Sequence, residues 1–182
     1  MKRCEWAKDT LLIEYHDKEW GIPQHNDTRL FEMLVLEGAQ AGLSWLTILK
    51  RRQTYRKAFD NFNPHKVSQY SKQDIKRLLA DQGIIRNKLK IESAINNAKQ
   101  FLKIQEEFGS FDKYIWGFVS YAPIQNKFKK LSDIPSSTPL SDKISADLKK
   151  RGFNFVGTTI CYAFMQAIGI VNDHTIYCSR YN

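Results

Sequence analysis

Apolar side chains recur every three or four residues through most of this chain, a period that confines it to packed α-helices. The clearest run covers residues 28–50, where Leu30, Phe31, Leu34 and Val35 lead on to Leu43, Leu46 and Leu49. Gly38 and Gly42 interrupt it, marking a bend or a close approach of backbone or ligand. Further helices are expected over 52–60, from Asn63-Pro64 onward, over 71–79 with Ser71 as N-cap and Asp74 behind it, over 89–108 and over 111–119. The last two are 142–150 and 158–168, the second closed by Gly169. Residues 122–141 carry Pro123, Pro135 and Pro139 and read as a long loop. No strand alternation persists and no segment repeats, so the expectation is an all-α protein with a single domain over 1–182.

Charge and cysteine usage limit what such a domain does. The net charge is +9, which suits a polyanionic partner by phosphate neutralisation, although a merely basic surface explains it equally well. Three cysteines, Cys4, Cys161 and Cys178, are an odd set for a disulfide framework. No apolar run is long enough to span a bilayer and the N-terminus lacks a secretory signal, so the expected location is cytoplasmic, with no membrane partner.

Cys4, His16, His174 and Cys178 form the candidate metal set. On a helix, His174 and Cys178 lie one turn apart on one face. Two Cys and two His close a tetrahedral zinc site and leave no position open for substrate. Against this stands a plain alternative: a terminal thiol, a surface histidine and a packing cysteine. His25 and His65 read as surface residues.

Two further clusters carry chemistry. Around Gly152-Phe153-Asn154-Phe155 a helix ends, turns tightly and restarts, offering the backbone N–H groups of Val156, Gly157 and Thr158 to a phosphate beside Lys149, Lys150 and Arg151. The same residues also serve simply to close a helical hairpin. The segment before Leu89 has a related look, with Arg86 and Lys88 as candidate phosphate contacts or ordinary solvated charges. In the other cluster, Glu37 falls within a helix otherwise fit for a core, and a buried carboxylate is costly unless it has work to do. Trp45 follows about two helical turns later on a similar side. Trp6, Tyr15 and Trp20 are concentrated nearby in sequence. Core packing accounts for such aromatics; so does a purine held between their faces, with Glu37 accepting from its exocyclic amine.

Taken together, Arg3-Cys4 with Trp6, Tyr15-His16-Asp17, Leu36-Glu37-Gly38, Gln40 to Trp45, Lys149 to Phe153, Phe155 to Tyr162 and Val171 to His174 closely resemble the 3-methyladenine DNA glycosylase I family of the helix–hairpin–helix glycosylase superfamily. The resemblance runs from the third residue nearly to the end. It implies two helical lobes with the N- and C-terminal regions joined by one structural zinc on Cys4, His16, His174 and Cys178. The helix–hairpin–helix element then lies at about 142–168. It also implies a monomeric, monofunctional hydrolase acting on double-stranded alkylated DNA. The target base is flipped out and cut from deoxyribose, leaving an abasic site and free 3-methyladenine. Glu37 becomes the base-recognising and candidate catalytic residue, with Tyr15, Trp45, Trp6 and Trp20 around the base. Lys149, Lys150, Arg151, Val156, Gly157, Thr158, Arg86 and Lys88 become DNA contacts, and Leu43 a candidate to fill the gap the base leaves. Where the wider superfamily has a catalytic Asp this chain has Asn172, so the resemblance argues against lyase chemistry. Asp173 beside it is a secondary catalytic candidate. Leu12 replaces a tyrosine that the family pattern allows near the pocket. The competing reading is a DNA structure- or damage-binding module without catalysis. A metal-dependent hydrolase fits poorly, because four protein ligands fill the zinc.

Overall fold

Helices dominate the computed structural model, which describes residues 2–181. The first, α1 (Thr10–Lys18), lies in sequence whose polar and apolar residues mix too evenly to announce it. Its start is fixed by Asp9, whose side chain accepts from the Leu11 N–H. The central helix is α2 (Asp27–Gln40), begun by an Asn26 cap and buried along ten residues from Leu30 to Ala39. The long helix expected over 28–50 is in fact two. Gly42 takes a φ of 76° and Ser44 caps a separate α3 (Trp45–Leu49). Glu37 and Trp45 therefore belong to different helices, and the turn between them carries the exposed Leu43.

Short helices α4 (Arg52–Ala58), α5 (Pro64–Ser68) and α6 (Lys72–Ala80) lead to the long α7 (Lys88–Phe108). Ser71 and Asp74 form the expected capping box at the head of α6. After α8 (Phe111–Gly117) the chain crosses to α9 (Pro139–Lys150) and α10 (Thr158–Ala167). The helix expected from residue 142 starts three residues earlier, because Thr138 and Ser141 build a reciprocal cap around Pro139. Helix α2 packs against α7, α8 and α10, while α9 and α10 pair through their short turn.

The expectation of no strands needs correction. Within the supposed long loop, β1 (Ile124–Gln125) pairs in parallel with β2 (Val171–Asn172), Ile124 opposite Val171. Ile176 N–H also donates to the Phe128 carbonyl, so the 122–138 strap hangs on the C-terminal tail. That tail, where a helix would set His174 and Cys178 one turn apart, is instead a turn closed by Cys178 N–H on the Thr175 carbonyl. Gly169 is required where α10 ends. It has a φ of 73°, and a Cβ there would lie 2.3 Å from the Ile22 carbonyl carbon.

One ionic cluster is sealed inside. Arg52, 6% exposed, donates to Glu32 Oε1 at 2.7 Å and to both oxygens of Glu19 at 2.8 Å, with Arg29 and Arg56 completing the set. It fixes α1's end against α2 and α4 and so sets the place of Trp20 beside it.

Candidate active site and metal centre

Helices α1, α2, α3 and α10 converge on a cavity of about 460 Å³, a size usual for small-molecule sites. Glu37 enters it from the buried face of α2. Its carboxyl is 4% exposed and has no hydrogen-bond partner among the described residues. Burial alone pushes its pKa up to about 8. Aromatic rings enclose it: Trp45 from α3 and Tyr15 from α1 stand 5.2 Å apart between centroids. Trp6 meets Trp20 edge-on at 5.0 Å on the same wall. Tyr15's phenol is held well above its usual range by burial and by the charge of Glu37. The Trp45 Nε1–H is buried and unpartnered. A lone carboxyl amid aromatic faces thus lines one cavity, an arrangement that suits a flat ligand with a polar edge.

Leu12 lines this cavity together with Leu131, Ile134 and Pro135 from the strap, giving an apolar wall. Tyr162 and Gln166, one turn apart on α10, supply a polar one. Both are fastened to Asp173: Tyr162 OH donates to Oδ2 at 2.6 Å and Gln166 Nε2 at 2.8 Å, while Asn126 Nδ2 takes Oδ1 at 2.7 Å. Asp173 is fully buried and its oxygens are thus engaged. It holds the wall and does not face the cavity. These wall residues come from distant segments, and nothing local in the sequence marked them.

Glu37 also lines a second, smaller cavity of about 200 Å³ with Gln40, Gly42, Leu43, Thr159 and Ile160. The exposed Leu43 and the head of α10 therefore flank one recess. No side chain caps α10 at Gly157, so its first N–H groups are free to meet an anion. The hairpin turn behind them is held by α7. Asn97 exchanges two hydrogen bonds with the Asn154 backbone, at 2.8 and 2.9 Å, and Asn96 donates to the Gly152 carbonyl. Thr158's hydroxyl is shared with Ser141 and Asp142, which ties the head of α10 to α9.

The candidate cations are unequally placed. Lys149, Lys150, Arg86 and Lys88 are exposed. Arg151 instead pairs with Glu107 and Asp147 and lies over the rings of Phe108 and Tyr114. Its charge is largely spent inside the fold. His25 and His65 are exposed, and His25 pairs with Asp112.

Cys4, His16, His174 and Cys178 come together from both ends of the chain, their ligand atoms all within 4.8 Å of one another. Sulfur–nitrogen separations are 3.4 Å for Cys178–His16, 3.3 Å for Cys178–His174 and 3.6 Å for Cys4–His174. A tetrahedron with metal–sulfur and metal–nitrogen bonds of ordinary zinc length has such an edge at about 3.5 Å. The remaining ring nitrogens are already engaged. His16 Nδ1 meets Asp17, which Arg3 grips, and His174 Nε2 meets the Trp20 carbonyl at 3.0 Å. This frees His16 Nε2 and His174 Nδ1 for an ion. Without one, burial raises the Cys4 thiol to about 11 and lowers His174 to about 4. The donor set therefore fits a metal.

These features describe a helical protein with an aromatic, carboxylate-bearing pocket beside an uncapped helix head and a separate Cys2His2 cluster. The methyladenine glycosylase family model matches residues 6–181, and the chain belongs to that family. It is 50% identical to DNA-3-methyladenine glycosylase 1 of Escherichia coli over all of this chain and 97% of that one. It is 45% identical to DNA-3-methyladenine glycosylase of Haemophilus influenzae over 97% of this chain and 96% of that one. Among solved structures, 3-methyladenine DNA glycosylase I superposes with a TM-score of 0.97 at 48% identity, each chain fully covered. A tyrosine-to-phenylalanine variant of such an enzyme in complex with 3-methyladenine superposes at 0.95 with 37% identity, covering 98% of this chain and 97% of that one.

Proposed function

We propose that this chain is a base-excision repair enzyme that hydrolyses the bond between 3-methyladenine and deoxyribose in alkylated DNA. The observation that carries this is Glu37's position on two adjoining cavities. One is an aromatic box for a base. The other is the recess between Leu43 and the head of α10, where a strand lies.

The helix–hairpin–helix element over about 142–168 holds a phosphate of double-stranded DNA at the N–H groups of Val156, Gly157 and Thr158. Lys149, Lys150, Arg86 and Lys88 attract the backbone, and Arg151 acts mainly by holding α9 to α7. Leu43 enters the stack as the base is flipped. The base then lies among Tyr15, Trp45, Trp6 and Trp20, with its amine on Glu37. Methylation at N3 makes the base a cation, which the carboxylate and the π faces favour over neutral adenine. The bond from sugar C1′ to N9 breaks with its electron pair passing to the base, which leaves neutral. Water adds to C1′ and loses a proton, giving the abasic site. Glu37 holds the base; its nearness to the recess also suits it to orient that water. Neither cavity is lined by a lysine, so no amine is in place for lyase chemistry.

The metal centre is a structural zinc site. Cys4, His16, His174 and Cys178 fill its coordination, so it ties the chain ends and takes no part in the reaction. The single domain, 1–182, works as a monomer, because one chain supplies the whole pocket, and acts on chromosomal DNA in the cytoplasm, where reduced cysteines persist.

The test is chromatography of bases released from methylated duplex DNA. Free 3-methyladenine with little 7-methylguanine is expected. Binding to DNA without any base release would leave a damage-binding module instead.

A further inference from the structure

The turn that carries Leu43 is closed by its own backbone, Leu43 N–H on the Gln40 carbonyl, but the carbonyls of Ala39 and Ala41 on either side have no backbone donor among the described residues. It follows the last residue of α2 and contains Gly42, and its residues 42–44 are exposed. Helix carbonyls at a C-terminus lack intrahelical donors, and an unrestrained glycine turn wanders. Here backbone N–H groups take the Gly38 and Gln40 carbonyls, and a single side chain from another element takes the other two. Lys90, in the first turn of α7, reaches across with Nζ 2.8 Å from the Ala39 oxygen and 2.7 Å from the Ala41 oxygen. A cation at this end also meets the negative pole of α2. Lys90 lies just after Asn87, whose side chain caps α7 by accepting from the Lys90 N–H itself at 3.1 Å. Arg86, on the exposed connection between α6 and α7, and Lys88, at the head of α7, are its close chain neighbours.

We infer that Lys90 is a positioning residue for base extrusion: it clamps the end of α2 so that Leu43 is presented at a fixed height above the recess, in register with the backbone-contacting segment at Arg86 and Lys88. This rests on the reading of Leu43 as the residue that enters the stack. Lys90 lines neither cavity, so it has no contact with the base or the reacting atoms. Its effect is confined to getting the base out of the duplex. Misplacing such an element by about an ångström costs tenfold to a hundredfold in rate.

The test compares two readouts in Lys90→Met, Lys90→Arg and Leu43→Ala. Release of 3-methyladenine from methylated duplex DNA reports extrusion and cleavage together. Binding of free 3-methyladenine, followed by quenching of pocket tryptophan fluorescence, reports the pocket alone. Lys90→Met is expected to lower kcat/KM on duplex by about tenfold or more while free-base affinity stays within about twofold. Lys90→Arg, which keeps donors for both carbonyls, recovers most of the loss. Adding Leu43→Ala to Lys90→Met costs little more, because both act on one step. The inference is overturned by wild-type duplex activity in Lys90→Met, by a parallel loss of free-base affinity, or by additive losses in the double variant. If Lys90→Met does not fold, Lys90→Gln, a shorter neutral donor, is judged by the same three criteria. Wild-type release with an unimpaired Leu43→Ala would remove the reading of Leu43 itself and leave the glycosylase intact.

Discussion

Glu37 carries its carboxyl inside a wall of aromatic rings, where burial pushes its pKa to about 8. Its unfolded value lies near 4.3. Because the folded value is the higher, the neutral form costs nothing below about pH 4, and stability falls as pH rises from there through 8. Glu37→Gln removes this penalty and should stabilise the protein at pH 7 by on the order of 3 kcal/mol, read as a higher denaturant midpoint. On methylated duplex at pH 8, where a carboxylate would meet the cationic base, the same variant should lose roughly tenfold to a hundredfold in kcat/KM, the usual loss of a charge-assisted hydrogen bond. Since kcat/KM reports the free enzyme, its value on methylated duplex should climb toward pH 8 and level off, and the variant's profile should be flat over that range. A wild-type profile without that limb would show that ionised Glu37 is not what selects the cation. This residue was partly legible in sequence: a carboxylate amid Leu34, Val35, Leu36 and Ala39 stood out, but a helix-surface glutamate was the plainer alternative until the fold buried it. Asp173 was not: Asn126 and Tyr162 reach it from elsewhere in the chain, and only the fold shows that its oxygens are spent. Arg151 eluded sequence for the same reason, with Glu107 lying 44 residues away.

Among the elements, the end of α10 is the least forgiving. Gly169 needs both its left-handed backbone and the space its missing Cβ leaves against Ile22 and Pro23. Gly169→Ala should destabilise by roughly 3 kcal/mol or more, seen in thermal unfolding, since backbone cannot move aside as a side chain can. At the other end of α10, the exposed lysines beside the free N–H groups would make DNA affinity salt-dependent on the proposed reading. Lys150→Ala should weaken duplex binding evenly across sequences and reduce the slope of log affinity against log salt by about 1. An unchanged slope would place Lys150 off the backbone. Helix ends set by local chemistry, such as the Ser71 box and the Gly169 stop, were readable. The break at Gly42 was only suggested, because a glycine in an apolar run reads equally as bend or packing. The 174–178 turn and the β1–β2 pair escaped because their partners are distant in sequence, and α1 because its apolar face is weak.

The molecule as a whole closes on itself through four side chains, two near each end. A chelator strong enough to remove zinc should free both termini and lower Tm by roughly 10 °C, corresponding to a few kcal/mol in a chain of this size. Metal analysis should find one zinc per chain. A metal-free protein with unchanged Tm would remove the clamp from the account. Asp17→Asn, which leaves His16 without its carboxylate partner, should weaken zinc binding by about tenfold to a hundredfold in a competition assay with a coloured chelator.

The burial of Glu37 reaches beyond recognition to turnover. On the proposed reading an empty pocket would hold a neutral acid and an occupied one a carboxylate against a cation, so its net charge would be zero in both states. Cleavage upsets that balance, for the severed base is uncharged and the carboxylate is left alone where burial disfavours ions. A proton then suits the pocket better than the product does. Reprotonation and departure of the base would then run together, and the same burial proposed to tell a charged base from an uncharged one would also reset the enzyme.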